Sequence, residues 1–374
     1  MSLFNKPFAA YSFLSLTLAL AGTASLASEN KDQIGISSHT SQGDDWDITG
    51  YQLDAQGHFK SFSYQLNLAK DDIKRGDVSL SSRALAIDYS VNTAQLKTSY
   101  RSGVGVWTLD LENIESDPIE GTGFGVFGAH QFYGEMTAFS YGLKHYELDL
   151  FRPDVDFTNR QFRDLYWFQL QQEMNPDWRV SLSYILNRSW GYVGDPYVLA
   201  YQLGTPTGER LPYSRTSNQI SFDATRDLGG DRWVELSTEY LSDSWGRTGL
   251  TFAINYQQPF FDGRLSLRVR SHNRNKASFY YNDAPLGVPE LTRDPENSSF
   301  EENVLGVTLS WPILDNWLSE SVASVNFSVD YRRRNHSDLT NPDQCSVGAG
   351  GDLSRCTLVK IENTSGQIYF NLAY

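Results

Sequence analysis

Residues Cys356–Tyr374 read CTLVKIENTSGQIYFNLAY. Counted back in twos, Tyr374, Leu372, Phe370 and Ile368 fall on one side of an extended chain, and Ala373, Asn371, Tyr369 and Gln367 on the other. Successive side chains of a strand point to opposite faces, so this spacing predicts a strand with one apolar and one mostly polar face. The same alternation recurs through the chain with almost no helical periodicity. It predicts about sixteen strands: 46–54, 57–69, 78–90, 94–101, 105–114, 123–132, 135–151, 159–174, 178–190, 213–228, 231–243, 247–259, 263–281, 298–313, 319–336 and 356–374.

The chain opens MSLFNKPFAAYSFLSLTLALAGTASLAS. Lys6 precedes the apolar run Tyr11–Ala21, and Ser25 and Ala27 are small residues placed for cleavage after Ala27. That is the layout of a secretory signal peptide, residues 1–27. Beyond it no apolar run approaches the ~18 residues of a membrane-spanning helix. Residues 28–45 read as a periplasmic lead and 46–374 as the strand-rich body. An exported chain without such helices can still span a membrane as a closed barrel, because closure pairs every backbone group. Composition agrees. Mean hydropathy is −0.43, yet the chain carries 21 Tyr, 21 Phe and 9 Trp. Apolar outer faces, aromatic girdles and a polar lumen account for both.

The connections sort by length. Reading backward, 337–355 is long, Leu314–Leu318 short, Tyr281–Asn297 long and Pro259–Gly263 short. Asp227–Asp231 is short, Trp190–Pro212 long and Met174–Asp177 short. Every long connection falls at one end, the pattern of short periplasmic turns and long external loops. The faces are equally clear. Ala323, Val325, Phe327, Val329 and Tyr331 oppose Ser324, Asn326, Ser328, Asp330 and Arg332; Leu265, Leu267 and Val269 oppose Ser266, Arg268 and Arg270. An Arg on the lipid face costs about 2–4 kcal/mol near the midplane, so the polar face must be inside. Asp223, Glu235, Glu239, Arg268, Arg270, Asp330 and Arg332 are the expected lumen-lining residues. One strand, 135–151, changes phase: Phe139, Tyr141 and Leu143 share one parity, Tyr146, Leu148 and Leu150 the other. A β-bulge near Lys144 and His145, or an upper half standing clear of the membrane, would reconcile them.

The net charge of −14 argues against nucleic-acid binding. The two cysteines, Cys345 and Cys356, lie close together in a Gly/Asp/Asn-rich segment of an exported chain, and a disulfide is expected. The six histidines form no metal-ligand spacing, and no Gly-x-Ser-x-Gly elbow or P-loop occurs. No metal or cofactor is implied. His272, on the polar face of its strand, is the best candidate for a rim catalyst should the barrel be a hydrolase.

The terminal aromatic in phase with an apolar face resembles the closing strand of bacterial outer-membrane barrels. There, Ile368, Phe370, Leu372 and Tyr374 would act as the signal read by the barrel-assembly machinery. From about Tyr141 onward the chain also resembles a family of bacterial outer-membrane barrels of unknown function. The resemblance rests on Gly191-Tyr192, Asp195-Pro196-Tyr197, Tyr240, Asp243-Ser244-Trp245-Gly246, Tyr256-Gln257-Gln258-Pro259 and Phe279-Tyr280. It implies the fold and no catalytic residue. The expected protein is an all-β transmembrane antiparallel barrel of the bacterial outer membrane. It would be embedded in outer-membrane lipid and pass small polar solutes as a porin does. A non-conducting scaffold that docks a periplasmic or surface partner is the alternative.

Overall fold

The computed structural model describes residues 32–43, 46–75, 87–133, 136–152, 157–194, 198–203, 205–315, 322–345 and 356–373. The expected signal peptide lies outside them. Sixteen strands form one closed antiparallel barrel. In chain order its strands are β1 (Gln33–Gly43), β2 (Trp46–Phe59), β3 (Phe62–Arg75), β4 (Ile87–Ser102), β5 (Gly105–Ser116), β6 (Ile119–Phe132), β7 (Thr137–Arg152), β8 (Phe157–Asn175) and β9 (Trp178–Gly191). The short hairpin β10 (Leu199–Gln202) and β11 (Thr205–Gly208) stands apart from the barrel. The barrel resumes with β12 (Ser214–Asp227), β13 (Trp233–Asp243), β14 (Thr248–Phe260), β15 (Gly263–Arg274), β16 (Phe300–Asp315), β17 (Val322–Cys345) and β18 (Cys356–Ala373).

The seam is β1 against β18, in register from Gln33↔Ala373 to Gly43↔Asn363. This corrects the reading of 28–45 as a lead: the barrel begins at Gln33, not near Trp46. Along β1 only Ile34 and Ile36 are apolar on the exposed face, and the rest is Ser, Thr, Gly, Gln and His. Its strand character comes from partners on both sides, β18 and β2, which no local pattern records. A second correction offsets the first in the strand count. Residues 87–90 and 94–101, expected in two strands, belong to the single strand β4; 78–86 lie outside the described residues. The segment 337–355 is also shorter as a loop than expected, because β17 continues to Cys345.

The parity of the connections holds. One end carries short turns, at Lys60–Ser61, Gly103–Val104, Pro176–Asp177 and Phe261–Asp262. The opposite end carries the long loops 192–213 and 275–299, the first containing the β10–β11 hairpin and the second a 3-10 turn at Pro295–Asn297. Gly191 makes the exit from β9 into the first of them. Its φ is +95°, and a Cβ there would lie 2.2 Å from the Arg160 carbonyl oxygen, so only glycine fits.

A belt of apolar side chains faces outward, among them Leu236, Tyr240, Phe252, Ile254, Val269, Phe327, Val329, Ile368 and Phe370, all exposed. Above this belt, toward the long loops, the polarity inverts. Tyr146, Leu148 and Leu150 of β7 turn inward and join Ile48, Ile73, Tyr89, Val91, Ile114 and Ile119 in one buried cluster. Their outward neighbours on β7 are His145, Glu147 and Asp149. The register of β7 with β6 and β8 is unbroken, so the phase change of this strand is no bulge. The strand ends project past the apolar belt, wet outside and dry inside. Burial there contributes about 1.5–3 kcal/mol per large aliphatic side chain.

Candidate functional site

The inner wall is read most simply in rungs across β15, β16 and β17. The registers place Arg268, Gly306 and Asp330 on one rung, and Arg270, Val304 and Arg332 on the next. Above them come His272, Glu302 and Arg334, then Arg274, Phe300 and His336. On the lowest of these rungs Arg268 Nη2 meets Asp330 Oδ1 at 2.6 Å. The pair crosses Gly306, where a Cβ would lie 2.1 Å from that carboxylate oxygen, so the glycine is what lets it form. Two rungs up, Arg334 donates from Nε and Nη2 to Glu302 Oε2 at 2.9 and 2.6 Å. The guanidinium groups of Arg274 and Arg334 also lie over the Phe300 ring, 4.3 and 4.0 Å from its centroid. Such cation–π contacts strengthen when desolvated.

The wall formed by β4, β5 and β7 holds a second cluster. Lys144 Nζ reaches Asp110 Oδ2 at 2.8 Å and Glu112 Oε2 at 2.6 Å, with all three side chains nearly fully buried. Gln95 donates to both Asp110 oxygens, at 3.0 and 3.1 Å, and the Tyr146 hydroxyl donates to Glu112 at 3.1 Å. Every charge in this cluster has a partner, as buried charges require.

The two long loops close over this interior from the long-loop end. Ala277, Phe279 and Tyr280 of the loop 275–299 pack with Trp245 and with Leu339, Val359 and Ile361 at the outer ends of β17 and β18; Val193 and Leu211 of the other loop border them. Ala200 of β10 packs on Ala284 and Leu291. Burial raises the Tyr280 phenol above its ordinary pKa, so it stays neutral. Arginines bolt the loop in place. Arg293, fully buried, donates to the Thr340 carbonyl at 2.5 Å and to Asn282 Oδ1 at 3.3 Å, and lies 5.0 Å over the Tyr201 ring. Arg247, in the turn after β13, pairs with Asp243 at 2.6 Å and donates to the Glu296 carbonyl and Asn297 Oδ1 at 3.0 and 2.9 Å. Glu296 also pairs with Arg274 at 3.1 Å and with Arg334.

All seven residues expected in the lumen project from the face opposite the apolar belt. Asp330 and Arg332 are buried, and the other five are partly exposed. Asp223 accepts from Ser181 Oγ at 3.0 Å, and Glu235 from Asn255 at 2.8 Å. Glu239 shares a rung with Thr251 and His272. His272 Nδ1 lies 2.8 Å from Thr251 Oγ1. Another histidine meets a serine: Ser298 Oγ is 2.7 Å from His336 Nδ1. That hydroxyl donates to the Pro295 carbonyl at 2.7 Å, and both residues are buried, so the pair ties the loop to β17. No group of three or more His, Cys, Asp or Glu side chains able to hold a metal occurs among the described residues.

Residues the sequence reading passed over include Asp110, Glu112, Lys144, Glu302 and Arg334. For Asp110 and Glu112 the signal was present, since they alternate with Leu109 and Leu111. Lys144 sat in the strand with the phase change, where its face was ambiguous.

A closed antiparallel barrel with an outward apolar belt, an ion-paired polar interior, short turns at one end and long loops at the other is a transmembrane β-barrel of the bacterial outer-membrane type. Within that class the chain belongs to the family described as protein of unknown function DUF3570, whose model matches residues 81–340. No curated protein matches it. Among solved structures it is similar to the outer membrane protein OpdK of Pseudomonas aeruginosa, with 9% identity, a TM-score of 0.44, and coverage of 92% of this chain and 99% of that one. It is also similar to Pseudomonas aeruginosa OccK2 (OpdF) in complex with glucuronate, with 10% identity, a TM-score of 0.43, and coverage of 92% and 98%. A bacterial polysaccharide outer membrane secretin gives 7% identity, a TM-score of 0.48, and coverage of 91% and 98%.

Proposed function

We propose that the chain is a porin-like channel of the bacterial outer membrane, exported through its signal peptide, that passes small polar solutes through a lumen filtered by charged side chains. The observation that carries this reading is the state of the inner wall at and below the lowest charged rung. Asn255, Gln257, Ser266, Asn326, Ser328 and Gln367 face the barrel interior and yet are only partly buried. A sixteen-strand barrel is too wide for its own wall residues to fill, so polar inward residues with open surface imply water beside them. Asp223, Glu235, Glu239, Arg268, Arg270, Asp330 and Arg332 would set the filter, and the two inward loops the width.

Purified, folded protein in planar bilayers should give discrete single-channel steps, and liposomes carrying it should admit small sugars. Folded and inserted protein that gives neither result sinks the channel. The scaffold reading would then stand, and the packed long-loop end is the observation that favours it.

Two further features belong to this reading. Ile368 and Phe370 are exposed on the outward face of β18 and, with Leu372 and Tyr374, would meet lipid and the assembly machinery. Cys345 lies directly opposite Cys356 in the β17–β18 ladder, where facing Cα atoms are about 4.5–5.5 Å apart, within disulfide range. A bridge there would pin the last external loop to the strand that closes the barrel. Alkylation of unfolded, unreduced protein should modify neither cysteine, and alkylation after reduction should modify both; modification without reductant excludes the bridge.

A further inference from the structure

The geometry points to an anion-binding rung in the lumen, Arg270 and Arg332 on either side of Val304, that takes small solutes bearing a carboxylate or phosphate group. This names the solute class of the channel proposed above and rests on that reading.

Carboxylates are shared unevenly among the rungs. Arg268 has its own acid, Asp330, at 2.6 Å. Arg334 has Glu302, in two short bonds to one oxygen. Among the described residues, the carboxylate within 4.0 Å of Arg270 and Arg332 is Glu302: Arg270 Nη1 lies 4.0 Å from its Oε1, and Arg332 Nε lies 3.9 Å from its Oε2. Both distances are beyond hydrogen-bonding range. Glu239 acts on Arg270 only as a more distant charge. The neighbouring positions on the rung carry no acid: Val304 lies between the two arginines, Ala253 beyond Arg270 on β14 and Asn363 beyond Arg332 on β18. Asp223 stands on the same rung but three strands from Arg270, where it accepts from Ser181. Glu239 belongs to the rung above, across Thr251 from His272.

Arg332 supplies an independent sign of a missing partner. Its side chain is 10% exposed, and its Nε has no hydrogen-bond acceptor among the described residues. A desolvated guanidinium normally finds an acceptor, because an unmade bond from a buried charged donor costs more than a made one contributes. Arg270 is more open, at 32%, and gives access from the lumen. Residues two strands apart on one rung are about 10 Å apart at their Cα atoms, so two arginine arms can converge on one group above Val304. Their planar forks match the two oxygens of a carboxylate or the oxygens of a phosphate, which ammonium groups do not.

Inorganic phosphate serves as the probe. It should block wild-type single-channel current and raise the unfolding temperature of the detergent-solubilised barrel. In R270Q/R332Q its apparent affinity should fall at least about tenfold, the loss of one or more charge-assisted hydrogen bonds, and the zero-current potential in a KCl gradient should move toward cation preference. R270K/R332K, which keeps the charges but not the forks, should retain the zero-current potential and lose phosphate affinity. Arg333→Gln, one residue along β17 on the outward face beside Glu362, should change neither. A conducting wild-type channel indifferent to phosphate, or a block unchanged in R270Q/R332Q, overturns the rung. If the protein does not conduct at all, the channel reading fails by itself. The phosphate-dependent unfolding temperature, compared between wild type and R270Q/R332Q, then decides the rung alone.

Discussion

Replacing Lys144 with Met should destabilise the folded barrel by about 3–5 kcal/mol, the usual cost of removing one partner from a buried ion pair. The side chain is replaced by one of similar length, so the loss is electrostatic rather than a cavity. What remains is Asp110 and Glu112, both buried and two residues apart on the same face of β5. Asp110 keeps Gln95, which donates to both its oxygens, and stands opposite Lys97 in the β4–β5 register. Glu112 keeps the Tyr146 hydroxyl at 3.1 Å, a neutral donor, with Arg163 and Lys97 acting on it only as more distant charges. The penalty should therefore concentrate on Glu112. Adding Glu112→Gln to Lys144→Met should recover most of it, whereas adding Asp110→Asn should recover little. Urea unfolding of the detergent- or lipid-embedded barrel, followed by tryptophan fluorescence and by gel mobility without boiling, measures each difference. A Lys144→Met barrel within about 1 kcal/mol of wild type would mean that water reaches this cluster and screens it.

The cluster also shows where sequence reading runs out. From Gly105 onward the strands, the faces of those other than β7 and the sidedness of the loops were legible, because each rests on a local signal: period-two alternation, turn residues and connection length. β1 was not legible. Its Ser37, Ser38 and Ser41 are not among the residues that strands favour, and what makes them a strand is a neighbour more than three hundred residues away, as in Ser41 Oγ donating to Asn363 Oδ1. The phase change of β7 was visible, but its cause was not. That Tyr146, Leu148 and Leu150 turn inward becomes intelligible only beside Ile48 and Ile73 from strands far earlier in the chain. The charges followed the same division. Alternation told which side Arg268, Arg270 and Arg332 occupy. It could not tell that Arg268 owns Asp330 while Arg270 and Arg332 stand about 4 Å from a Glu302 already held by Arg334, since those pairings depend on register between strands.

Replacing the loop 275–299 by a tight turn should leave the barrel closed and raise single-channel conductance several-fold. Arg274 and Phe300 are already direct partners in the β15–β16 ladder, so a short Asn-Gly turn can join them without altering the register. The loop's anchors mostly have second partners in the wall. Arg334 keeps Glu302, and Arg247 keeps Asp243. The cost falls on the apolar cluster, where Trp245, Leu339, Val359 and Ile361 lose Phe279 and Tyr280. That surface lies at the open long-loop end, so its exposure should lower the unfolding temperature without opening the β1–β18 seam. A milder version is Arg293→Ala. It removes the bond to the Thr340 carbonyl and the contact over Tyr201, and leaves the Thr340 carbonyl oxygen to find another donor. It should give flickering current with intermittent wide openings rather than a steady increase, because the loop is unlatched but still present. The two variants together separate a fixed constriction from a mobile one. If excision leaves conductance and solute cut-off unchanged, the loops pack beside the permeation path, and the narrowing must lie at the charged rungs beneath them.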